Sequence, residues 1–219
     1  MSARRWWAFE PGALWAIELT GKPPGLVAPR ATAAFAEVER TAADALATAM
    51  GLRGAAPVRQ RFDAGRRCFA AWVDGQIAAY CWVSGANEYV SELEREFQLQ
   101  DHEAYIWDCA TLPAFRHQRL YSALLSRIVA TLQGEGLRRI WIGASLGNRP
   151  SHRGFANAGF RPIVWVVYVR LLCLSGLWIA SYPGAPGTLV AAARQVLLAD
   201  HERTFGPLAV GVAARRLLM

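Results

Sequence analysis

The sequence predicts an α/β fold built on a mixed β-sheet, and two observations predict it. Between residues 58 and 84, short apolar runs alternate with tight-turn residues, and Asp74-Gly75 sits between two of them, the mark of an antiparallel meander. Between 105 and 144, a strand pattern, a long amphipathic helix pattern and a second strand pattern follow one another. At that spacing the two strands are parallel and joined by a right-handed crossover.

Taken in order, Ala13 to Leu19 reads as a first strand, followed by the turn-rich Gly21-Lys22-Pro23-Pro24-Gly25. Ala31 to Met50 is alanine-rich, with Phe35, Val38, Ala42, Ala45, Leu46 and Ala49 near helical spacing, and Gly51 stops it. Val58 to Phe62 and Cys68 to Val73 read as strand pieces, and Asp74-Gly75 turns the second into Gln76 to Ser84. Glu88 to Glu103 carries six carboxylates against Arg95, and Val90, Leu93 and Phe97 would give it the buried face of a helix. Its acidic side is either a solvated helix face or a negative surface beside an acceptor entrance, where it would favour cationic amines.

Tyr105 to Leu112 is the next strand. Leu120, Leu124, Ile128, Val129 and Leu132 line one face of the helix after it, and Gly134 and Gly136 end that helix. Arg139 to Ala144 is a strand and Pro150 to Ala158 a short helix. Ile163 to Ala180 is apolar, but Arg170 lies near its centre, where insertion into a bilayer costs about 2.5 to 3.5 kcal/mol. The β-branched and aromatic run Ile163 to Val169 reads as a buried strand, so membrane contact is not expected. After Pro183-Gly184-Ala185-Pro186-Gly187, Thr188 to Leu198 fits one amphipathic helix and Ala209 to Met219 is apolar again. The division expected is a domain at 1–182 and a helical extension at 183–219, which packs back on the domain, forms a homodimer or lies on a membrane surface.

Composition bounds the function. With 219 residues, 53% of them hydrophobic, the chain can bury a full core. The net charge of +7 comes almost wholly from arginine and suits a polyanionic ligand. Nucleic acid is not the expected one, because the arginines are scattered in pairs without a binding motif. Cys68, Cys81, Cys109 and Cys173 show no metal-ligand or disulfide spacing, and buried free thiols in a reducing cytoplasm are expected. The first residues lack the apolar core of a signal peptide.

The chemistry concentrates between 105 and 160. A strand that opens through a turn directly into a helix aims unpaired N–H groups and the positive end of the helix dipole at whatever sits above the turn, usually diphosphate. Here that turn is Arg116-His117-Gln118-Arg119-Leu120-Tyr121, and Asn148-x-x-Ser151, Phe155 and Ala158-Gly159-Phe160 follow. These residues resemble the GCN5-related N-acetyltransferases (GNAT), whose acyl-CoA pyrophosphate loop runs Arg/Gln-x-x-Gly-x-Gly/Ala after a strand. The resemblance is firm over about 105 to 170 and implies a GNAT-like fold with splayed central parallel strands holding the cofactor. Arg119 and Tyr121 stand where the family has glycines. At α-helical φ and ψ both would still point their N–H groups at the anion, and Arg119 could add a charged contact.

The resemblance implies acetyl-CoA as acyl-donor cosubstrate. The cofactor-binding residues expected are Thr111 and Leu112 at the strand end, Arg116, His117, Gln118, Arg119, Leu120, Tyr121 and Ser122 in the loop and first turn, and Asn148, Ser151 and Phe155 beyond. Asn148 also has the plain role of a helix N-cap. Attack on a thioester needs a neutral amine, so a base must take a proton directly or through water. Glu103 looks aligned with the glutamate base of the family's histone-acetylating branch, and Asp108, inside the strand, is the second catalytic candidate. Either carboxylate has a structural alternative: Glu103 as the end of the acidic segment, Asp108 as a hydrogen-bonded strand residue.

The family often protonates the leaving thiolate with a tyrosine where this chain has Phe155, which cannot donate. Tyr121, Ser151, His152 or water must then serve. Cys109 as a nucleophile lacks an evident histidine partner, which favours a packed thiol. The function expected is acyl-CoA-dependent N-acyl transfer, acetyl before others, to a primary amine by direct attack in a ternary complex; the alternative is a non-catalytic acyl-CoA-binding module that keeps the fold.

Overall fold

The computed structural model describes residues 7–21, 24–172 and 174–198. Its main sheet has eight strands in the order β10-β9-β1-β8-β7-β4-β3-β2. The strands are β1 (Trp7–Glu18), β2 (Ala34–Glu37), β3 (Arg67–Val73), β4 (Gln76–Ser84), β7 (Glu103–Thr111), β8 (Arg139–Ser145), β9 (Arg161–Leu171) and β10 (Leu174–Ser181), and a separate hairpin pairs β5 (Glu88–Val90) with β6 (Arg95–Phe97). All neighbours in the main sheet are antiparallel except β7 and β8. The mixed sheet expected from the sequence is therefore present, and its parallel pair flanks helix α3 (Leu120–Gly134) in the chain.

Alternation along the strands divides the core. Cys81, Val83, Ala104, Ile106, Ile140 and Ile142 face one side, where α3 and α4 (Arg149–Asn157) pack, with Leu120, Leu124, Leu125, Ile128 and Leu132 buried beneath. On the other side, Tyr80 and Trp82 meet α1 (Ala43–Ala49) and α2 (Ala56–Asp63), while Tyr105, Trp141 and Val166 meet α5 (Gly187–Leu198) and the β5–β6 hairpin. Leu189, Ala193, Val196 and Leu197 bury the apolar stripe of α5 against this side, so the helix of the expected extension packs on the sheet. Ala209 to Met219 lies outside the described residues.

Three elements differ from the sequence reading. Residues 34–37 form the edge strand β2, and only Ala43–Ala49 is α-helical, because Phe35 and its neighbours pair with β3 instead of completing the alanine-rich helix. Residues 56–63 are a helix, not a strand piece: Pro57 sits in its first turn, and Val58 and Phe62, four apart, both pack into the core. The acidic segment is the β5–β6 hairpin, not a helix, with Phe97 buried from a strand. Turn chemistry holds where it was read: Asp74 and Gly75 both take positive φ, as a two-residue hairpin demands, and Gly159 at φ +93° lets the Phe160 N–H return to the Phe155 carbonyl at the end of α4.

Candidate active site

The cleft comes from an incomplete ladder. β7 and β8 pair only from Glu103↔Arg139 to Ile106↔Ile142, although the strands continue to Thr111 and Ser145. Beyond Ile106 they separate. On its other edge β7 carries a bulge, since Tyr80 and Trp82 of β4 oppose Ala110 and Trp107, leaving an extra residue around Asp108, which takes φ 41°. The bulge turns the Trp107 and Asp108 side chains to the α2 side of the sheet and Cys109 to the α3 side. A cavity of about 670 Å³ fills the wedge and passes from one side to the other.

On the α3 side the cavity is lined by Cys109, Tyr121, Asn148, Ser151 and Phe155. The loop before α3 leads into Tyr121, and of residues 116–122 it is Tyr121 that lines the cavity. Arg116 is extended, and His117 and Arg119 take φ 65° and 57°. Arg119 is the N-cap of α3 in the left-handed region, a backbone that glycine adopts freely and that costs an arginine roughly 1 to 2 kcal/mol. This differs from the α-helical φ and ψ expected for Arg119; Tyr121, inside α3, has the helical backbone expected of it. Arg30 braces the loop by donating its backbone N–H to the Gln118 carbonyl at 2.9 Å. The N–H groups of Leu120, Tyr121 and Ser122 head the helix without intrahelical acceptors. The side chains of Arg116, His117 and Arg119 are exposed, whereas those of Leu120 and Ser122 are buried. Thr111 and Leu112 end β7 beside this loop, the Thr111 carbonyl accepting from Arg116 Nε at 3.4 Å and the Leu112 N–H being used by Ala78 at 2.9 Å.

Tyr121 leans across from α3 to α4. Its ring covers Gly154, where an added Cβ would lie 2.5 Å from Cδ1, and meets the Phe155 ring at 6.2 Å. Its hydroxyl lies near the Cys109 thiol and Ser151. Burial first, then the neighbouring thiols, pushes Tyr121 well above the ordinary tyrosine value, so it keeps its proton. Asn148 caps α4 by accepting from the Ser151 N–H at 3.2 Å, the N-cap role read from sequence. His152 turns away, its Nε2 2.9 Å from the Ser145 carbonyl oxygen and its ring stacked on Phe155. Cys109 has Cys81 and Tyr121 for neighbours, and burial holds the Cys81 thiol well above its ordinary value.

On the opposite side the cavity is walled by β1, the hairpin and the bulge. Asp108 lines it, half-exposed, and accepts from Arg61 Nη1 at 2.5 Å. The Arg61 guanidinium lies over the rings of Trp82 and Trp107, at 5.0 and 4.7 Å. Asp108 is thus a carboxylate with a cationic partner and an open side. Glu88, buried, accepts from Arg66 at 2.6 and 2.9 Å and from the Ser84 hydroxyl, which in turn accepts from Trp107 Nε1 at 2.9 Å.

Glu103 is elsewhere. It is 5% exposed and accepts from Arg139 Nη1 at 2.7 Å, Trp141 Nε1 at 3.0 Å and the Gln100 N–H at 3.2 Å. It stands at the paired end of β7, five residues or about 16 Å along the strand from Asp108, and does not line the cavity. The structure does not bring the two sequence-derived catalytic candidates together. Sequence reasoning missed Arg61, Tyr105 and Trp107 in the cavity wall, and had Glu88 only as one carboxylate of the acidic segment. Arg61 sat in a segment read as strand, and only the i, i+4 spacing of Val58 and Phe62 signalled the helix that carries it.

Comparison with known proteins places this geometry. The model of the acetyltransferase (GNAT) family matches residues 40–160. Among solved structures, one described as a GNAT-family acetyltransferase from Novosphingobium aromaticivorans superposes with a TM-score of 0.51 at 16% identity, over 80% of this chain and 66% of its own. A GCN5-related N-acetyltransferase from Sphaerobacter thermophilus gives 0.51 and 16% identity over 73% and 50%. The chain spans between half and two-thirds of the length of these structures. At this identity the likeness is one of fold. No curated protein matches the sequence.

Proposed function

The chain belongs to the GNAT family of acetyltransferases, a family whose acyl donor is acetyl-CoA, and we propose that it transfers an acetyl group from that donor to a primary amine by direct attack. The observation that carries the proposal is the wedge between β7 and β8, with the N–H groups heading α3 at one end and the bulge carboxylate of Asp108 at the other. The pyrophosphate takes the α3 end, where Arg116 and Arg119 add charge to the helix dipole. The pantetheine arm runs through the wedge past Tyr121, Asn148, Ser151 and Phe155. Beyond Ile106 the β7 backbone groups that face the wedge have no β8 partner, and the arm's amides can take that place.

In the reaction, the acceptor enters from the hairpin side as an ammonium and passes a proton to Asp108, directly or through water. The neutral nitrogen then attacks the thioester carbonyl carbon. As the C–S bond breaks, the extra proton on the nitrogen goes to the departing sulfur through the Tyr121 hydroxyl, which gives one proton and takes the other, so amide and CoA thiol both leave neutral; Phe155 cannot play that part. Arg61 holds the Asp108 carboxylate toward the cavity, and Glu103 joins β7 to β8 behind it.

Calorimetry with CoA and a turnover assay with acetyl-CoA and an amine panel test the proposal. Asp108→Asn is expected to leave CoA affinity unchanged and to lower turnover by about 10²-fold to 10⁴-fold, with recovery at higher pH as free amine accumulates. Absence of CoA binding to the unaltered chain overturns the proposal, and full activity in Asp108→Asn removes the base from Asp108.

A further inference from the structure

The acceptor half of the cavity has a lining of its own. In a chain of net charge +7, four carboxylates face it: Glu10, Glu88, Glu92 and Asp108. Two of these are matched by arginines, Glu88 by Arg66 and Asp108 by Arg61. Among the described residues Glu10 and Glu92 have no ion-pair partner, and Glu92 accepts from the Ser91 hydroxyl at 3.1 Å. Glu92 also lies close enough to the Tyr105 ring to help hold its hydroxyl protonated, after burial itself. Among the described residues the excess charge at this mouth is therefore negative.

Behind the carboxylates the wall is apolar. Leu14, Val90, Leu93, Phe97, Val166 and Leu197 line it from β1, the hairpin, β9 and α5. The neutral polar side chains beside them are Ser91, Tyr89 and Tyr105. A polyhydroxylated acceptor would bury hydroxyls against this wall without partners, at a cost for each. The hairpin that forms the wall is held in place from outside the cavity. Glu88 is clamped by Arg66, the Gln98 N–H donates to the Val196 carbonyl at 3.2 Å, and Glu94 accepts from Tyr168 Oη at 2.7 Å and from Arg170. These contacts leave Glu92, in the hairpin turn, as the carboxylate available to an incoming cation.

Resting on the acyl-transfer reading, we propose that the acceptor is a monoamine with an apolar body, its ammonium drawn in by Glu92 and Glu10 and its body laid on the Leu14, Leu93, Phe97 and Val166 wall. Selection then has two parts. The carboxylates set the charge of the acceptor, and the wall sets its polarity. An acceptor bearing its own carboxylate is repelled at the mouth. One bearing hydroxyls leaves apolar surface uncovered.

The test uses the full chain, acetyl-CoA, and four probes: 2-phenylethylamine, ethanolamine, glucosamine and phenylalanine. For 2-phenylethylamine, kcat/KM is expected to exceed that for ethanolamine and glucosamine by at least about 10-fold, from burial of the ring. Phenylalanine is expected to fall about 10-fold below 2-phenylethylamine through its extra negative charge. Glu92→Gln is expected to raise KM for 2-phenylethylamine by about 3-fold to 10-fold with kcat nearly unchanged, and Glu92→Asp to restore most of it. KM for acetyl-CoA should not move in either variant. A preference for glucosamine, a KM for 2-phenylethylamine untouched by Glu92→Gln, or CoA binding with no turnover of any monoamine overturns this acceptor class alone. Failure of the unaltered chain to bind CoA by calorimetry removes the acyl-transfer reading together with it.

Discussion

Removing the Glu103 carboxylate separates a structural anchor from a catalytic base. The side chain is 5% exposed, and both its oxygens are engaged, with Arg139, Trp141 and the Gln100 N–H. In Glu103→Ala the fully buried Trp141 indole N–H loses its acceptor, which costs about 1 to 3 kcal/mol. Arg139 loses its short partner at 2.7 Å and keeps only Glu18 at 3.4 Å. Breaking a buried pair costs about 3 to 5 kcal/mol, and the partial exposure of Arg139 reduces that share. The sum expected for Glu103→Ala is about 4 kcal/mol, and for Glu103→Gln, which keeps the shape and one acceptor, about 2 kcal/mol. At roughly 2 to 4 °C per kcal/mol for a chain of this size, Tm falls by about 8 to 16 °C and about 4 to 8 °C respectively. Thermal denaturation followed by circular dichroism reads the shifts, and turnover is measured well below Tm, where the variants are folded. Per folded molecule, Glu103→Gln should retain activity within about 3-fold. An unchanged Tm with turnover lowered about 10²-fold, restored at high pH, would refute the assignment and return the base to Glu103.

Two further outcomes follow from packing and titration. Gly154→Ala places a Cβ 2.5 Å from the Tyr121 ring, so it should destabilise the chain by about 1 to 3 kcal/mol, and combining it with Tyr121→Ala should remove most of that cost; additive losses in chemical denaturation would show that the ring does not lie on Gly154. Burial pushes Tyr80 up to about 12 and lifts Tyr105, Tyr121, Cys68 and Cys81 as well, so the folded chain binds these protons more tightly than the unfolded one. Stability is then fully present below the unfolded values and falls as pH rises past about 9 to 10, by up to about 1.4 kcal/mol per pH unit for each group. Tyr80→Phe should make that fall shallower between about pH 10 and 12, and an unchanged slope in urea titrations would contradict it.

The parts legible in the sequence are those fixed by local pattern. Asp74-Gly75 set its hairpin, and the spacing of Leu120, Leu124, Ile128 and Leu132 set α3, because a two-residue turn and a 3.6-residue stripe need no distant partner to be recognised. Arg116 to Tyr121 and Asn148 to Phe160 were legible for the same reason, each being a local instruction for a helix start or stop. The acidic segment was not. Val90, Leu93 and Phe97 satisfy a helical stripe, but β5 and β6 pair and close over the cavity with α5 packed behind, and α5 lies about a hundred residues further along the chain. Residues 34–37 failed likewise, since an alanine-rich run becomes strand only where β3 offers its edge.

The same distinction separates Glu103 from Asp108. Both are carboxylates on one apolar strand, and periodicity gives no reason to prefer either. What divides them is where β7 stops pairing with β8, a property of two strands and not of one. Up to Ile106 the pair is closed, and Glu103 is consumed in holding it closed through Arg139 and Trp141 on β8. Past Ile106 the pair opens, and the bulge turns Asp108 into the gap. The carboxylate that joins the two strands and the one proposed as base therefore stand five residues apart on the same nine-residue strand, and the location of the opening tells them apart.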